Sequence, residues 1–252
     1  MNSRQQPLGG RRRMGRCCLE RNQRGLSLIE LMISMVLGLI VIAAVFNMYA
    51  GSSRSAKFTE GLQAMQENGR YGVSVLQRGL RLAGFTSNPL PVSSFEGIDI
   101  ASSGISDSGH SSIAIRSEQA YDCNGLETSA TSGVAVNVYR LDAVAEQLTC
   151  QGNQGGDAMA IVEGVEAFRV LYGIDADGDS TSDQPQQYIP YAADINPEEV
   201  VALRFALLVN SGEAIRTRNV SSSFTVLDTT YALEDRKARE VFSSTVKLRN
   251  RR

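Results

Sequence analysis

Residues 31–53, "LMISMVLGLIVIAAVFNMYAGSS", carry no charged side chain. At a helical rise of about 1.5 Å per residue the run is roughly 34 Å long, sufficient to cross a hydrocarbon core of roughly 30 Å. A cleaved secretory signal needs a shorter apolar region closed by a small-residue site, and Ala43-Ala44-Val45 followed by Phe46 is a poor match. A spanning helix is therefore expected. Arg4, Arg11, Arg12, Arg13, Arg16, Arg21 and Arg24 precede the run, and the first cation after it is Arg54. By the positive-inside rule the amino end stays in the cytoplasm, and the chain beyond Arg54 lies on the other side.

With 252 residues, the chain has room beyond the helix for one domain with a sizeable core. Of 25 basic and 27 acidic residues, seven Arg and one Glu fall in the first 25 positions. The remainder holds 18 basic against 26 acidic residues, a net charge of −8. An acidic exterior argues against nucleic acid as a partner. Cys17 and Cys18 sit on the reducing side, behind the basic Arg11 to Arg16 stretch where a lipoprotein signal would be apolar. Cys123 and Cys150 fall in the exported part, where one disulfide is expected between them.

Glu30 is the exception to the apolar character of the segment. A carboxylate in a spanning helix is a functional site by default, although one this close to the cytoplasmic end can also snorkel to the interface. Its neighbours decide between these. A basic leader, then Gly25, Leu26, Ser27, Leu28, Ile29, Glu30 and a long apolar run resemble the class III signal of type IV prepilins and type II secretion pseudopilins. The resemblance implies cleavage after Gly25 by a prepilin peptidase and methylation of the new amino terminus at Leu26, where Phe or Met is usual. It also places Glu30 at the fifth mature position. Unlike charges attract far more strongly in a low-dielectric setting than in water, and each lowers the desolvation cost of the other. Glu30 on one subunit is thus expected to select the Leu26 amine of its neighbour during assembly. The segments that follow are a cytoplasmic leader over 1–25, cleaved; a transmembrane half-helix over 26–53; a periplasmic half-helix over 54–84; and a periplasmic domain over 85–252. Translation starts at Met1 or at Met14, and both starts leave Gly25 in place.

Past the membrane, Phe58, Leu62, Met65, Gly69, Val73, Leu76, Leu80 and Ala83 recur at spacings of three and four, which marks one helical face. A single helix from about Leu26 to about Ala83 would be roughly 85 Å long. Gly61, Gly69, Gly72 and Gly79 each cost it on the order of 1 kcal/mol against Ala and offer close backbone approach. Residues 86–112 are rich in Ser, Gly, Pro and Asp and read as a loop. β-type runs follow at 112–117, 133–141, 145–150, 158–172, 200–209, 224–227 and 240–248. The fold class expected is α+β: a pilin-like long amino-terminal helix, transmembrane in its first half, packed on an antiparallel sheet.

Four stretches resemble the PilW family of minor pilins and keep that family's order: "QENGRYGVSVLQRGLRLAGF", "IVEGVEAFRVLYGIDADGDSTSD", "VVALRFALLVNS" and "REVFSSTVKLRNRR". The resemblance implies a minor pilin in the inner membrane with a periplasmic domain. Such a subunit primes or assists pilus assembly with other minor and major pilins at or near the filament tip, with a tip adhesin as a further partner. The alternative from the same resemblance is a minor pseudopilin of a type II secretion system.

Asp175, Asp177, Asp179 and Asp183, with the carbonyl of Thr181, have the spacing of oxygen ligands in a calcium loop. Against calcium stand Ser180 where a Gly is expected and Gln186 where a Glu is expected, and an acidic solvated turn is the alternative. A membrane-anchored periplasmic hydrolase is the remaining reading. Its sole support is "SDSGHSS", in which His110 lies near Asp107, Ser108 and Ser111. A flexible stretch gives a triad no rigid scaffold, and no other hydrolase motif occurs, so the chain is not expected to be an enzyme.

Overall fold

In a computed structural model of the chain, the described residues are 25–87, 96–131, 133–175 and 184–250. The chain divides into two compact units, residues 1–51 and 52–252. One helix, α1 (Leu28–Arg81), contributes to both. In the first unit its side chains are exposed, as an all-apolar helix without a protein partner must be. In the second unit Gly61, Met65, Gly69, Gly72, Leu76 and Leu80 form a buried stripe. Phe58, expected on this face, is exposed instead, because the domain's cover begins at Gly61. Past Arg81, the Asn250 side chain donates to the carbonyls of Arg81 and Ala83, satisfying acceptors that the helix end leaves open.

The strands of the second unit pair antiparallel throughout. Strands β1 (Ile98–Ile105), β2 (Ser111–Glu118), β3 (Val134–Asp142), β4 (Gln147–Gln151) and β5 (Met159–Glu163) form one sheet in that order. A second sheet has the order β11-β8-β6-β7, from β6 (Val165–Ile174), β7 (Gln187–Ile189), β8 (Val200–Asn210) and β11 (Arg239–Lys247). Strands β9 (Val220–Val226) and β10 (Thr229–Asp235) make a separate hairpin.

Three sequence expectations change here. Residues 86–112 are not all loop: β1 lies within them, its alternation hidden by an irregularity between Asp99 and Gly104 that resets the pairing with β2. The single run 158–172 is two strands in different sheets, separated by Gly164 at a φ of 73°. Both β7 and β10 are additional to the expected set.

β8 is buried on both faces. Leu203, Phe205, Leu207 and Val209 join the core that contains Leu76 and Leu80. Ala206 and Leu208, with Ala167 of β6, lie under Phe224, Tyr231 and Leu233 of the hairpin. A strand covered on both sides reads as a nearly continuous apolar run, which "VVALRFALLV" does apart from the exposed Arg204. The hairpin turn places Leu227 at a φ of 58°, a conformation costing roughly 1–2 kcal/mol for a non-glycine residue. Leu227 packs into the hairpin cluster, and Asp228 beside it binds the buried Arg169 through two hydrogen bonds. Arg169 also donates to the carbonyl of Gly109 at 2.8 Å, so one guanidinium ties together two turns and a central strand.

The helical glycines are sites of contact. A Cβ at Gly61 would meet Ile215 at 2.7 Å, and one at Gly72 would meet Leu207 at 2.8 Å. At Gly69 it would overlap the Phe242 ring, and at Gly79 the Tyr139 hydroxyl. These partners come from β3, β8, β11 and the loop after β8, so α1 lies against both sheets. Overpacking costs about 1–3 kcal/mol, more than the ~1 kcal/mol of helix propensity that alanine would return. Gly69→Ala should therefore lower the urea midpoint. Gly51→Ala, with nothing within 4 Å, should not. Equal midpoints for Gly69→Ala and wild type would contradict the packing.

Cys123 and Cys150, 27 positions apart in sequence, form a disulfide with their Cα atoms 6.3 Å apart. The bond holds the 119–131 segment to β4. Asp122 adds to this by accepting from the backbone N–H groups of Asn124, Leu126 and Gln154 at 3.0, 3.0 and 3.1 Å. Replacing both cysteines with serine should cost about 3 kcal/mol by chain entropy, read as a lower unfolding midpoint than wild type under non-reducing conditions. An unchanged midpoint would show that the bond adds no stability.

Candidate functional site

Gly25, Leu26 and Ser27 precede α1 and are exposed. The helix begins when the Leu31 N–H donates to the carbonyl of Ser27 at 3.1 Å. Glu30 lies in the first turn, where a negative charge favours the unpaired N–H groups and positive end of the helix dipole. The Ser34 and Asn47 side chains bond the carbonyls four residues back, Glu30 at 2.6 Å and Ala43 at 3.0 Å, and so hide their polarity within the helix. Every Leu, Ile, Met, Val, Phe and Tyr from Leu28 to Tyr49 is 54–79% exposed. The segment has a mean hydropathy of 2.7 over its most apolar window and is long and apolar enough to cross a membrane. What it presents chemically is an apolar rod with a single carboxylate in its first turn.

The other residues singled out in the sequence fall elsewhere. Of the calcium-type set, only Asp175 is placed: it is buried at the end of β6, and its N–H donates to the carbonyl of Glu199 at 2.9 Å. Asp177, Asp179, Thr181 and Asp183 lie outside the described residues. His110, read as a loop histidine, lies in the turn between β1 and β2. Its ring stacks on Tyr231 at a centroid distance of 5.4 Å. Burial first, and then the charge of Arg169, push its pKa below the ordinary imidazole value. His110 bonds Ser106 through its backbone N–H and Tyr231 through its ring, an arrangement that is not a nucleophile–base–acid relay.

Sequence reasoning missed an ionic cluster at one corner of the domain. Arg239 binds Glu166 and Asp235, Lys237 binds Glu146 at 2.7 and 2.9 Å, and Asn210 donates to both Glu146 and Glu166 at 2.8 and 2.7 Å. The Arg239 hydrogen bonds hold the Asp235 pKa down at about 2. For Asp228, burial opposes ionisation but the bonds from Arg169 outweigh it, and its pKa falls below the ordinary value. Each ion meets its opposite within the protein, so these groups are braces and leave no acid or base poised for chemistry. No local signal announces them, since Lys237 and Glu146 are 91 positions apart.

Two family models match the chain. The PilW model, described as Type IV Pilus-assembly protein W, covers residues 130–250. The prokaryotic N-terminal methylation motif covers residues 21–46, which include Gly25, Leu26 and Glu30. No curated protein matches. Among solved structures, a type IV-like pilin from Thermus thermophilus is 17% identical, with 75% of this chain and 96% of that chain covered at a TM-score of 0.44. The matches point to a structural pilus component, and the motif with its apolar helix fits a membrane-anchored pilin. The chain thus carries a prokaryotic N-terminal methylation motif ahead of a domain that matches the PilW family model.

Proposed function

We propose that the protein is a minor pilin that primes or assists type IV pilus assembly with other minor pilins at or near the filament tip. The observation that carries this reading is the exposed apolar rod of Leu28 to Tyr49, with Glu30 in its first turn and a PilW domain in the same chain. A prepilin peptidase removes residues 1–25 and methylates Leu26. Residues 26–53 then hold the chain in the inner membrane, and residues 54–84 and 85–252 stand in the periplasm. Between subunits, the amine of Leu26 and the carboxylate of Glu30 on a neighbour form the ion pair that sets axial register. Each charge is costly alone in an apolar bundle and tolerable when paired.

Gly25→Val puts a branched side chain at the scissile position and should leave the longer, unprocessed form in a host with a prepilin peptidase. Equal gel mobility for wild type and variant, both with the leader still attached by mass spectrometry, would overturn the processing step. Glu30→Ala makes the segment more apolar, so membrane insertion should persist. Cross-linking to other pilins should fall by roughly tenfold or more, since a hydrogen bond to a charged group contributes about 1.5–3 kcal/mol. Wild-type cross-linking would remove the role assigned to Glu30. Capture of secretion-system subunits alone would favour the pseudopilin reading.

A further inference from the structure

The buried stripe of α1 ends at Gly61. One turn earlier on the same face stands Lys57, and two turns earlier Arg54, both exposed. Over Gly61 lies Ile215, from the loop that joins β8 to β9. That loop also carries Arg216 and Arg218, and the Arg216 N–H donates to the carbonyl of Arg236 at 2.9 Å, which brings a third arginine alongside. None of Arg54, Lys57, Arg216, Arg218 and Arg236 forms an ion pair with a described residue. The acidic groups of the adjoining segments are few: Asp235 is held by Arg239, Glu240 takes the amide of Gln66, and Glu60, Glu213 and Glu234 remain at the surface. Five cations against three surface carboxylates gather here, in a chain that carries a net −8 beyond its first 25 residues.

We infer that this end of the domain is a docking surface for the anionic headgroups of the bilayer that residues 31–53 enter, an inference that rests on the membrane reading given above. Distance along the helix selects this partner. From Ser53, Lys57 is about 6 Å away and Gly61 about 12 Å. The headgroup layer extends roughly 5–8 Å beyond the hydrocarbon, so Arg54 and Lys57 stand within it. Arg216 and Arg218 need reach only about 5 Å to touch it, as long basic side chains do at interfaces. Docking would hold the domain against the membrane before assembly, and extraction into a filament would break these contacts.

The test uses the full chain reconstituted in vesicles of phosphatidylglycerol or of phosphatidylcholine, with amide hydrogen exchange read over residues 211–219. Exchange should be slower in the anionic vesicles, and the difference should vanish in molar salt. Each basic side chain near an anionic surface is worth about fivefold in surface affinity, so Arg216→Gln, Arg218→Gln and Arg236→Gln together should cost about a hundredfold and return exchange to the phosphatidylcholine rate. Unchanged protection in β8 shows that the variant is folded. Release of the chain by alkaline carbonate would mean that the membrane reading itself has failed. An integral chain with equal exchange in both lipids would overturn headgroup docking while leaving that reading in place. Protection that appears only when other pilins are added would also overturn it, because the cations would then serve a protein partner.

Discussion

The domain depends on how closely α1 approaches its sheets. At Gly61, Gly69, Gly72 and Gly79 the missing Cβ is replaced by Ile215, the Phe242 ring, Leu207 and the Tyr139 hydroxyl. The glycines weaken the helix locally, by on the order of 1 kcal/mol each, and admit large side chains from both sheets in return. Leu76 and Leu80 between them become fully buried. Burial of side chains this size is worth about 1.5–3 kcal/mol apiece, so tertiary packing outweighs the loss of propensity. Polar contacts fix the axial setting: Gln77 donates to Ser244 at 2.6 Å, and Asn68 donates to the carbonyl of Glu163 at 3.2 Å.

Around this contact the rest of the domain is braced by buried charge. Arg169 holds the turn of the β9–β10 hairpin over the outer face of β6 and β8, and Arg239 joins β11 to β6 and to the end of β10. Removing one partner from such a pair leaves the other desolvated, which is why these groups act as locks more than as sources of net stability. The Asp235 contribution is present above its unfolded pKa of 3.8 and disappears as pH falls through about 2, so this brace persists through mild acid. The same corner carries Glu146 at a φ of 53°, held by its bonds to Lys237 and Asn210.

Much of this was legible in advance because it is periodic. The spacing of three and four from Leu62 to Ala83 announced a helix with one covered face, and the alternation in "REVFSSTVK" placed Phe242, Ser244 and Val246 together on the side that meets α1. What escaped was aperiodic or non-local. β1 is interrupted by its irregularity, and β7 is three residues long. Gly164 sends one apparent strand into two sheets through a single positive φ. The β9–β10 hairpin turns on Leu227 and Asp228, which lack the glycine that usually marks such a turn.

The sequence by itself determined that residues 31–53 form an apolar helix with a basic stretch on one side, that Glu30 is its lone carboxylate, and that β-rich chain follows, because length, charge and periodicity are properties of neighbouring residues. Only the tertiary structure decided which glycines were contacts, where the face of α1 stopped being covered, and which cations found partners. Arg169 and Arg239 meet carboxylates brought to them by the sheets, whereas Arg216, Arg218 and Arg236 meet none among the described residues. The physical reason is that packing and ion pairing act across space, between residues up to 174 positions apart such as Gln66 and Glu240, and a one-dimensional pattern holds no record of that distance.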